Sequence, residues 1–335
     1  MNAFRALVVD RDGDGVTLDV QEWPVDRLMP GEVTIRVAYS SVNYKDGLAV
    51  RADGRVVRSY PLIPGVDLAG TVESSTDDRF RPGDAVLAHG YDIGVAHHGG
   101  YAELARVPAG WVVPLPAGLS ARQAMALGTA GFTAALSVAR LEEAGLTPGS
   151  GPVIVTGASG GVGSTAVDIL AARGYEVAAS TGSADALEYL RALGATEIVD
   201  RAVTSAESAR PLERGRWAGA VDAVGGATLA YLLRTMDYGG SIAISGNAGG
   251  VAFSSTVFPF ILRGVNVLGI DSVAVPIDRR MAIWERLATD LRPPHLDDAI
   301  SREVSLDEAP EVLDRIVRGE TQGRTLIRVA RQDQR

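Results

Sequence analysis

Through the first third of the chain, apolar and polar positions alternate in short runs: FRALVV, VTLDVQEW, EVTIRVAYS, LAGTVES, DAVLAHG and AELARVP, separated by turn-forming residues. That texture predicts the strands of a mostly antiparallel layer from Phe4 to about Trp111. From Arg122 it changes. Longer runs with helical spacing alternate with short apolar ones, predicting helices over 124–140, 162–173, 184–193 and 227–236. Strands are expected over 153–155, 177–180, 197–199, 220–224, 241–245 and 265–270. Strand and helix in alternation give a parallel, doubly wound sheet with helices on both faces. From about Leu291 the pattern is mixed again, with a helix over 309–318 and an extended run over 325–329, and this tail is expected to rejoin the first domain. The fold class is therefore α/β. A β-rich domain takes residues 1–126 and 291–335, and a Rossmann-type nucleotide-binding domain takes 127–290.

Composition supports two domains, since 335 residues at 46% hydrophobic content can bury more than one core. A net charge of -9 offers no general attraction to nucleic acid or to an anionic membrane surface, so any phosphate recognition must be local. The chain has no cysteine, which excludes a disulfide framework, a thiolate zinc site and a cysteine nucleophile. The opening MNAFRALVVDRDGDG lacks the apolar run of a signal peptide, and no uninterrupted apolar stretch reaches spanning length, so a cytoplasmic protein is expected.

The stretch VTGASGGVGS, residues 155–164, lies between an expected strand and an expected helix. In that setting Gly157 would allow the tight turn, Gly160 and Gly161 would let backbone N–H groups approach a pyrophosphate, and Gly163 would let the helix pack closely. The helix would aim its positive end at the phosphates. At the end of the following strand, an acidic residue would bind the ribose hydroxyls of NAD. The chain reads Ser180-Thr181-Gly182-Ser183 there, so a 2′-phosphate meets no carboxylate and NADP(H) is favoured over NAD(H). Ser and Thr also serve simply as turn residues.

Other patterns carry less. Asp10 to Gly15 matches the start of a calcium loop, yet Gln21 stands where a bidentate Glu is needed and the flanks read as strands, so a hairpin turn is expected. His97-His98 has no third ligand at evident spacing and reads as loop. Ser159 and Ser164 do not sit in a nucleophile elbow, and phosphate contact or capping is the expected role.

Several stretches together carry a resemblance: SSVNYKDGLAV, PLIPGVDLAGTV, HHGGYAE, LGTAGFTAAL, VTGASGGVGSTAV, VDAVGG, FPFILRGVNVLGIDSV and QGRTLI, spanning nearly the entire chain. By these the chain resembles the medium-chain dehydrogenase/reductase superfamily and, within it, the acrylyl-CoA reductase (NADPH) and quinone oxidoreductase family. The resemblance implies a GroES-like β-rich catalytic domain beside the Rossmann domain, and a homodimer contacting through the last strand of the nucleotide domain. Zinc-dependent members carry a Cys-His pair and a Gly-His-Glu segment at places that here hold Asn43-Tyr44-Lys45-Asp46 and Gly65-Val66-Asp67, so no metal is expected. The cofactor contacts it implies are Tyr44, Ser159, Gly160, Gly161, Val162, Thr181, Gly182, Ser183, Arg201, Asn247, Ile261, Ser272 and Arg324. Arg201 suits a 2′-phosphate, and it carries more of that task because Ser183 stands where the family often has arginine.

The implied activity is NADPH-dependent reduction of the C=C bond of acryloyl-CoA, with hydride reaching the β-carbon and a proton the α-carbon. Tyr44 is the first candidate to orient the nicotinamide and donate a proton, with Asn43 as a neutral donor and Asp46 as a structural or proton-relay partner. NYKDG also reads as a helix start in which Asn43 and Asp46 satisfy backbone groups and Tyr44 walls a pocket. A quinone or enone oxidoreductase, and a noncatalytic NADPH-binding redox sensor, remain open beside it.

Overall fold

The computed structural model describes residues 2–298 and 300–330, so the ends of the expected domains at 1 and 331–335, and residue 299, lie outside the described residues. Two compact units result. The first comprises the chain through Thr129, the segment Val273–Ala288 and the described residues from Asp297 on; the second comprises Ala130–Ser272 and Thr289–Leu296.

The first unit begins with a hairpin of β1 (Ala3–Asp12) and β2 (Gly15–Pro24), paired from Ala3↔Pro24 to Asp12↔Gly15. Its turn uses Gly13 at φ +57°, so the acidic run at 10–15 is a hairpin end as the strand-like flanks require. The chain continues through β3 (Val33–Ser41), α1 (Tyr44–Ala49), β4 (Asp67–Ser75), β5 (Ala85–His89), β6 (Leu104–Val107) and β7 (Val112–Pro114). Antiparallel ladders join β3 to β4 and β6, β4 to β5, and β5 to β7. Inward side chains of the strands, among them Leu7, Ile35 and Leu68, together with Tyr101 from a loop, form the core of this unit.

Helix α2 (Ala121–Glu143) is broken at Gly128, where φ is +52°. It is long and apolar enough to cross a membrane by length and composition, but 89% of its most apolar window is buried within the protein.

The second unit alternates β8 (Val153–Thr156), α3 (Gly161–Ala172), β9 (Val177–Thr181), α4 (Leu187–Ala192), β10 (Glu197–Asp200), α5 (Arg201–Thr204), β11 (Trp217–Asp222), α6 (Gly226–Thr235), β12 (Met236–Ile244), α7 (Phe258–Arg263) and β13 (Asn266–Gly269). Every ladder is parallel and the order is β10-β9-β8-β11-β12-β13. Counted within the unit this is 3-2-1-4-5-6, the doubly wound dinucleotide-binding order. β8 is buried along its whole length, which is why its sequence is a continuous apolar run without alternation.

The chain then supplies α8 (Ile277–Ala288), β14 (Ile300–Ser305), α9 (Ala309–Val317) and β15 (Arg324–Arg328). β15 pairs antiparallel with β3 and parallel with β14, so the tail rejoins the first sheet. Where the sequence pattern placed 273–288 with the nucleotide domain, α8 instead belongs to the first unit. There Trp284 donates its indole N–H to His89 Nε2 at 2.9 Å, and the fully buried Arg280 donates to the His89 carbonyl at 2.9 Å. Helical periodicity tells that a face is buried, not which core buries it. Residues 289–296 return to the second unit through His295, whose N–H donates to the buried Asp168 on α3 at 3.0 Å.

Candidate functional site

In the second unit the glycine-rich turn follows β8 directly. Gly157 adopts φ +60°, and the Gly160 N–H closes the turn on the Gly157 carbonyl at 3.0 Å. A Cβ at Gly163 would stand 2.3 Å from the Gly157 carbonyl oxygen and 2.6 Å from Ala158 Cα, so only glycine lets α3 start beneath the turn. Ser159, Gly160, Gly161 and Val162 form a half-buried lip, and the first N–H groups of α3 have no intrahelical acceptor. Such a lip fits a pyrophosphate.

At the end of β9, Thr181 is buried and its hydroxyl donates to Ser159 Oγ at 3.1 Å while accepting the Ser183 N–H at 3.1 Å. Beyond it Gly182 and Ser183 are exposed. A Cβ on Gly182 would fall 2.6 Å from Arg201 Cζ, so the guanidinium lies across the turn where a side chain would otherwise be. Asp200, next to Arg201, is spent on the Ala202 N–H at 2.8 Å as the cap of α5. Among the described residues, no carboxylate lies within ion-pairing distance of Arg201. An exposed guanidinium with no ion pair among the described residues, beside a glycine turn with no acidic residue at 181–183, has the charge and geometry that suit a phosphate monoester.

The residues expected to touch a cofactor in this unit stand, with one exception, at the carboxyl edge of the sheet: the lip after β8, 181–183 at the end of β9, Arg201 after β10, the exposed Asn247 after β12 and the half-buried Ser272 after β13. Ile261 stands apart from that edge, 67% exposed on α7. Two residues beyond it, Arg263 donates to the Arg234 and Met236 carbonyls at 3.1 and 2.8 Å, which draws α7 toward the amino end of β12.

In the first unit the NYKDG segment opens α1. Tyr44 is the first helical residue and 41% exposed, whereas Asn43 and Asp46 are buried. Asp46 accepts the Asn43 N–H at 2.9 Å, closing a capping box, and accepts the Val66 N–H at 2.9 Å. The Asn43 amide donates to Asp67 Oδ2 at 2.8 Å. Asp67, also fully buried, accepts the Ser41 hydroxyl at 2.8 Å and the Thr129 N–H at 2.9 Å. The break at Gly128 is what aims that N–H. A Cβ at Gly128 would meet Ser41 Oγ at 2.6 Å and Asp67 Oδ2 at 2.8 Å.

Arg324, the first residue of β15, is 2% exposed and donates to the Ala126 and Val42 carbonyls at 3.0 and 3.1 Å, to Asn43 Oδ1 at 3.3 Å and to Ser41 Oγ at 2.5 Å. The resemblance makes Arg324 a cofactor contact; here its guanidinium is committed to protein acceptors and orders Ser41 and Asn43. Burial, and secondarily the charge of Asp67, push the Asp46 carboxyl up to about 7. Burial and then the charge of Asp46 hold Tyr101 well above the ordinary phenol range, and its hydroxyl donates to the Ser41 carbonyl at 3.1 Å.

The sign of the resulting pH effect is fixed by the direction of the Asp46 shift. The folded state prefers the protonated acid, so the stability it contributes is complete below 3.8 and is lost as pH rises through about 7. The thermal midpoint of Asp46→Asn minus that of the parent should therefore grow between about pH 5 and pH 8. A difference that does not move with pH contradicts the raised carboxyl.

The two places that carry zinc ligands in zinc-dependent relatives hold an amide already bonded to Asp67 and a valine with no ligand atom, Val66. Among the described residues no group of three or more His, Cys, Asp or Glu is placed to hold a metal ion. These residues do not fit zinc. His98 accepts the Ile63 N–H at 3.2 Å, with burial holding its ring down to about 4, and His97 meets the Pro30 carbonyl at 3.0 Å, so both lock loops.

Two family models match: the alcohol dehydrogenase GroES-like domain over residues 29–117 and the zinc-binding dehydrogenase over 161–288. The acrylyl-CoA reductase AcuI of Ruegeria pomeroyi is 53% identical over 97% of this chain and 99% of its own. YhfP of Bacillus subtilis, which bears a quinone oxidoreductase name, is 51% identical over 97% of this chain and 99% of its own. Its crystal structure with NAD bound matches with a TM-score of 0.96 over 98% of this chain and 100% of that one. The yhdH oxidoreductase of Salmonella enterica in complex with NADP matches at 48% identity with a TM-score of 0.95, over 97% of this chain and 100% of that one.

Proposed function

Since the chain belongs to the medium-chain dehydrogenase/reductase superfamily, in the group that includes acrylyl-CoA reductases and quinone oxidoreductases, we propose that it is an NADPH-dependent reductase of the C=C bond of acryloyl-CoA, forming propanoyl-CoA. The observation that carries the cofactor half is Arg201 lying across Gly182 at a strand end free of carboxylates. The NADP-bound and NADPH-bound yhdH structures support the same choice. The acceptor half rests on the acrylyl-CoA reductase relative. When bound, NADPH supplies the hydride.

The chain's own residues divide the remaining work. The α3 lip binds the pyrophosphate, and Arg201 with Thr181 and Ser183 binds the 2′-phosphate. Asn43 and Asp46 fix the first turn of α1 and so hold the exposed Tyr44 in place. Tyr44 orients the nicotinamide and gives a proton to the α-carbon as charge develops on the thioester oxygen. In Tyr44→Phe, single-turnover reduction should slow about tenfold while NADPH affinity stays within about threefold. A parental rate removes the hydroxyl from the chemistry.

Homodimerisation and a cytoplasmic location belong to the same reading. β13 is an edge strand that exposes Val267, and Phe258, Phe260 and Leu262 on α7 are exposed as well, an apolar edge suited to a second copy. Initial rates of NADPH and NADH oxidation with acryloyl-CoA, crotonyl-CoA and a small quinone in parallel test the proposal. Preferred turnover of acryloyl-CoA with NADPH supports it. Turnover of quinone alone moves the assignment to a quinone reductase, the activity named for the Bacillus subtilis relative. NADPH binding without any turnover makes the chain a sensor.

A further inference from the structure

β8 and β11 are neighbours with Thr156 opposite Asp222. They are the first and fourth strands of their sheet, the pair at which the winding reverses and a crevice opens at the carboxyl ends. Asp222 is fully buried at the floor of that crevice. Its Oδ1 accepts the Thr156 hydroxyl at 2.6 Å and the Val224 N–H at 2.9 Å, and both carboxylate oxygens lie 3.2 Å from the Gly225 nitrogen. One side chain thus ties the strand carrying the Gly157 turn to the turn at 223–226.

That second turn carries a third. The Gly249 N–H donates to the Val224 carbonyl at 2.8 Å. A Cβ on Gly246 would stand 2.0 Å from the Ala223 carbonyl oxygen, and one on Gly226 would stand 2.5 Å from the Gly249 oxygen. Backbone meets backbone with no room for a side chain, so the turn at 246–250, with Asn247 at its exposed tip, cannot shift independently of 223–226.

We propose that Asp222 is a positioning residue for the dinucleotide: by holding Val224 and Gly225 it sets the crevice wall built from the turns at 223–226 and 246–250 against the Gly157 turn. The inference rests on the nucleotide-binding reading above. Asp222 acts only through the backbone it holds, so it governs cofactor affinity more than the chemical step. Asn keeps a carbonyl oxygen for the same three donors, whereas Ala orphans all three at once, two of them, Thr156 and Gly225, buried.

Two measurements test this. In cofactor-free protein, Asp222→Ala should speed amide hydrogen exchange at least about tenfold across both 223–227 and 246–251, with Thr156→Val showing a smaller effect in the same segments. By fluorescence titration, Asp222→Ala should weaken NADPH binding at least about tenfold, with kcat within about threefold and Asp222→Asn within about threefold of the parent. Unchanged exchange at 246–251, or parental NADPH affinity in Asp222→Ala, overturns the inference. If Asp222→Ala does not fold, Thr156→Val decides: a few-fold weaker NADPH binding supports the link, and parental exchange and affinity overturn it. Failure of the parent to bind NADPH would refute the cofactor reading instead, and the exchange measurement would still decide the link between the turns.

Discussion

Arg201→Ala should raise the KM for NADPH about 30-fold or more while leaving that for NADH within about threefold, because charge-assisted bonds to the 2′-phosphate are lost at about 1.5–3 kcal/mol each. The difference between the two cofactors isolates the phosphate, since everything else about them is shared. Arg201 is exposed and makes no ion pair among the described residues, so its removal leaves no buried group unsatisfied and the fold should be unaffected. Gly182→Ala provides an independent route to the same result. Its methyl would fall 2.6 Å from the Arg201 guanidinium carbon and push the side chain off the turn, lowering the NADPH preference without removing any charge. Steady-state kinetics with both cofactors checks each variant. Equal losses with NADPH and NADH would place Arg201 outside phosphate recognition.

The second large effect is on stability. Arg324→Met should destabilise the first unit by about 3–5 kcal/mol, because several buried acceptors lose a charged donor at once, each at about 1–3 kcal/mol and not fully additive. The substitution strips a donor from two buried carbonyls, from Asn43 and from Ser41, the residues that in turn hold the buried Asp67. Lysine should not rescue it, because one ammonium cannot reproduce the planar fork that reaches acceptors on β3, α2 and the start of α1. Urea titrations of the methionine and lysine variants read both features. A loss under about 1 kcal/mol would mean that the cluster is solvated or satisfied otherwise.

The two glycines whose identity the fold demands in the nucleotide turn, Gly157 for its positive φ and Gly163 for its closeness to the Gly157 carbonyl, were legible from strand, turn and helix in sequence order. So was the parallel sheet, because each strand there is short, apolar and followed within a few residues by a helical run. The cluster around Asp67 was not legible in the same way. Its members Ser41, Asp67, Gly128 and Arg324 are scattered through nearly the whole chain, and nothing local distinguishes Gly128 from other small residues of an apolar helix. Only the three-dimensional closeness of its Cβ position to Ser41 and Asp67 does so. Nor could helical periodicity assign α8 to a core, because the partners of Arg280 and Trp284 lie about β5, far back in the sequence. Tyr44 shows both halves of the lesson: its segment reads correctly as a capped helix start, and its chemistry depends on what this exposed side chain meets.

The measurement that tests the central claim most directly is product stoichiometry. Purified protein is supplied with acryloyl-CoA and limiting NADPH, and propanoyl-CoA is quantified by mass against NADPH consumed. One propanoyl-CoA formed per NADPH oxidised, with Arg201→Ala slowing the reaction at low NADPH, is the predicted result. NADPH oxidation without propanoyl-CoA, or reduction that proceeds equally well with NADH in the parent, would contradict it.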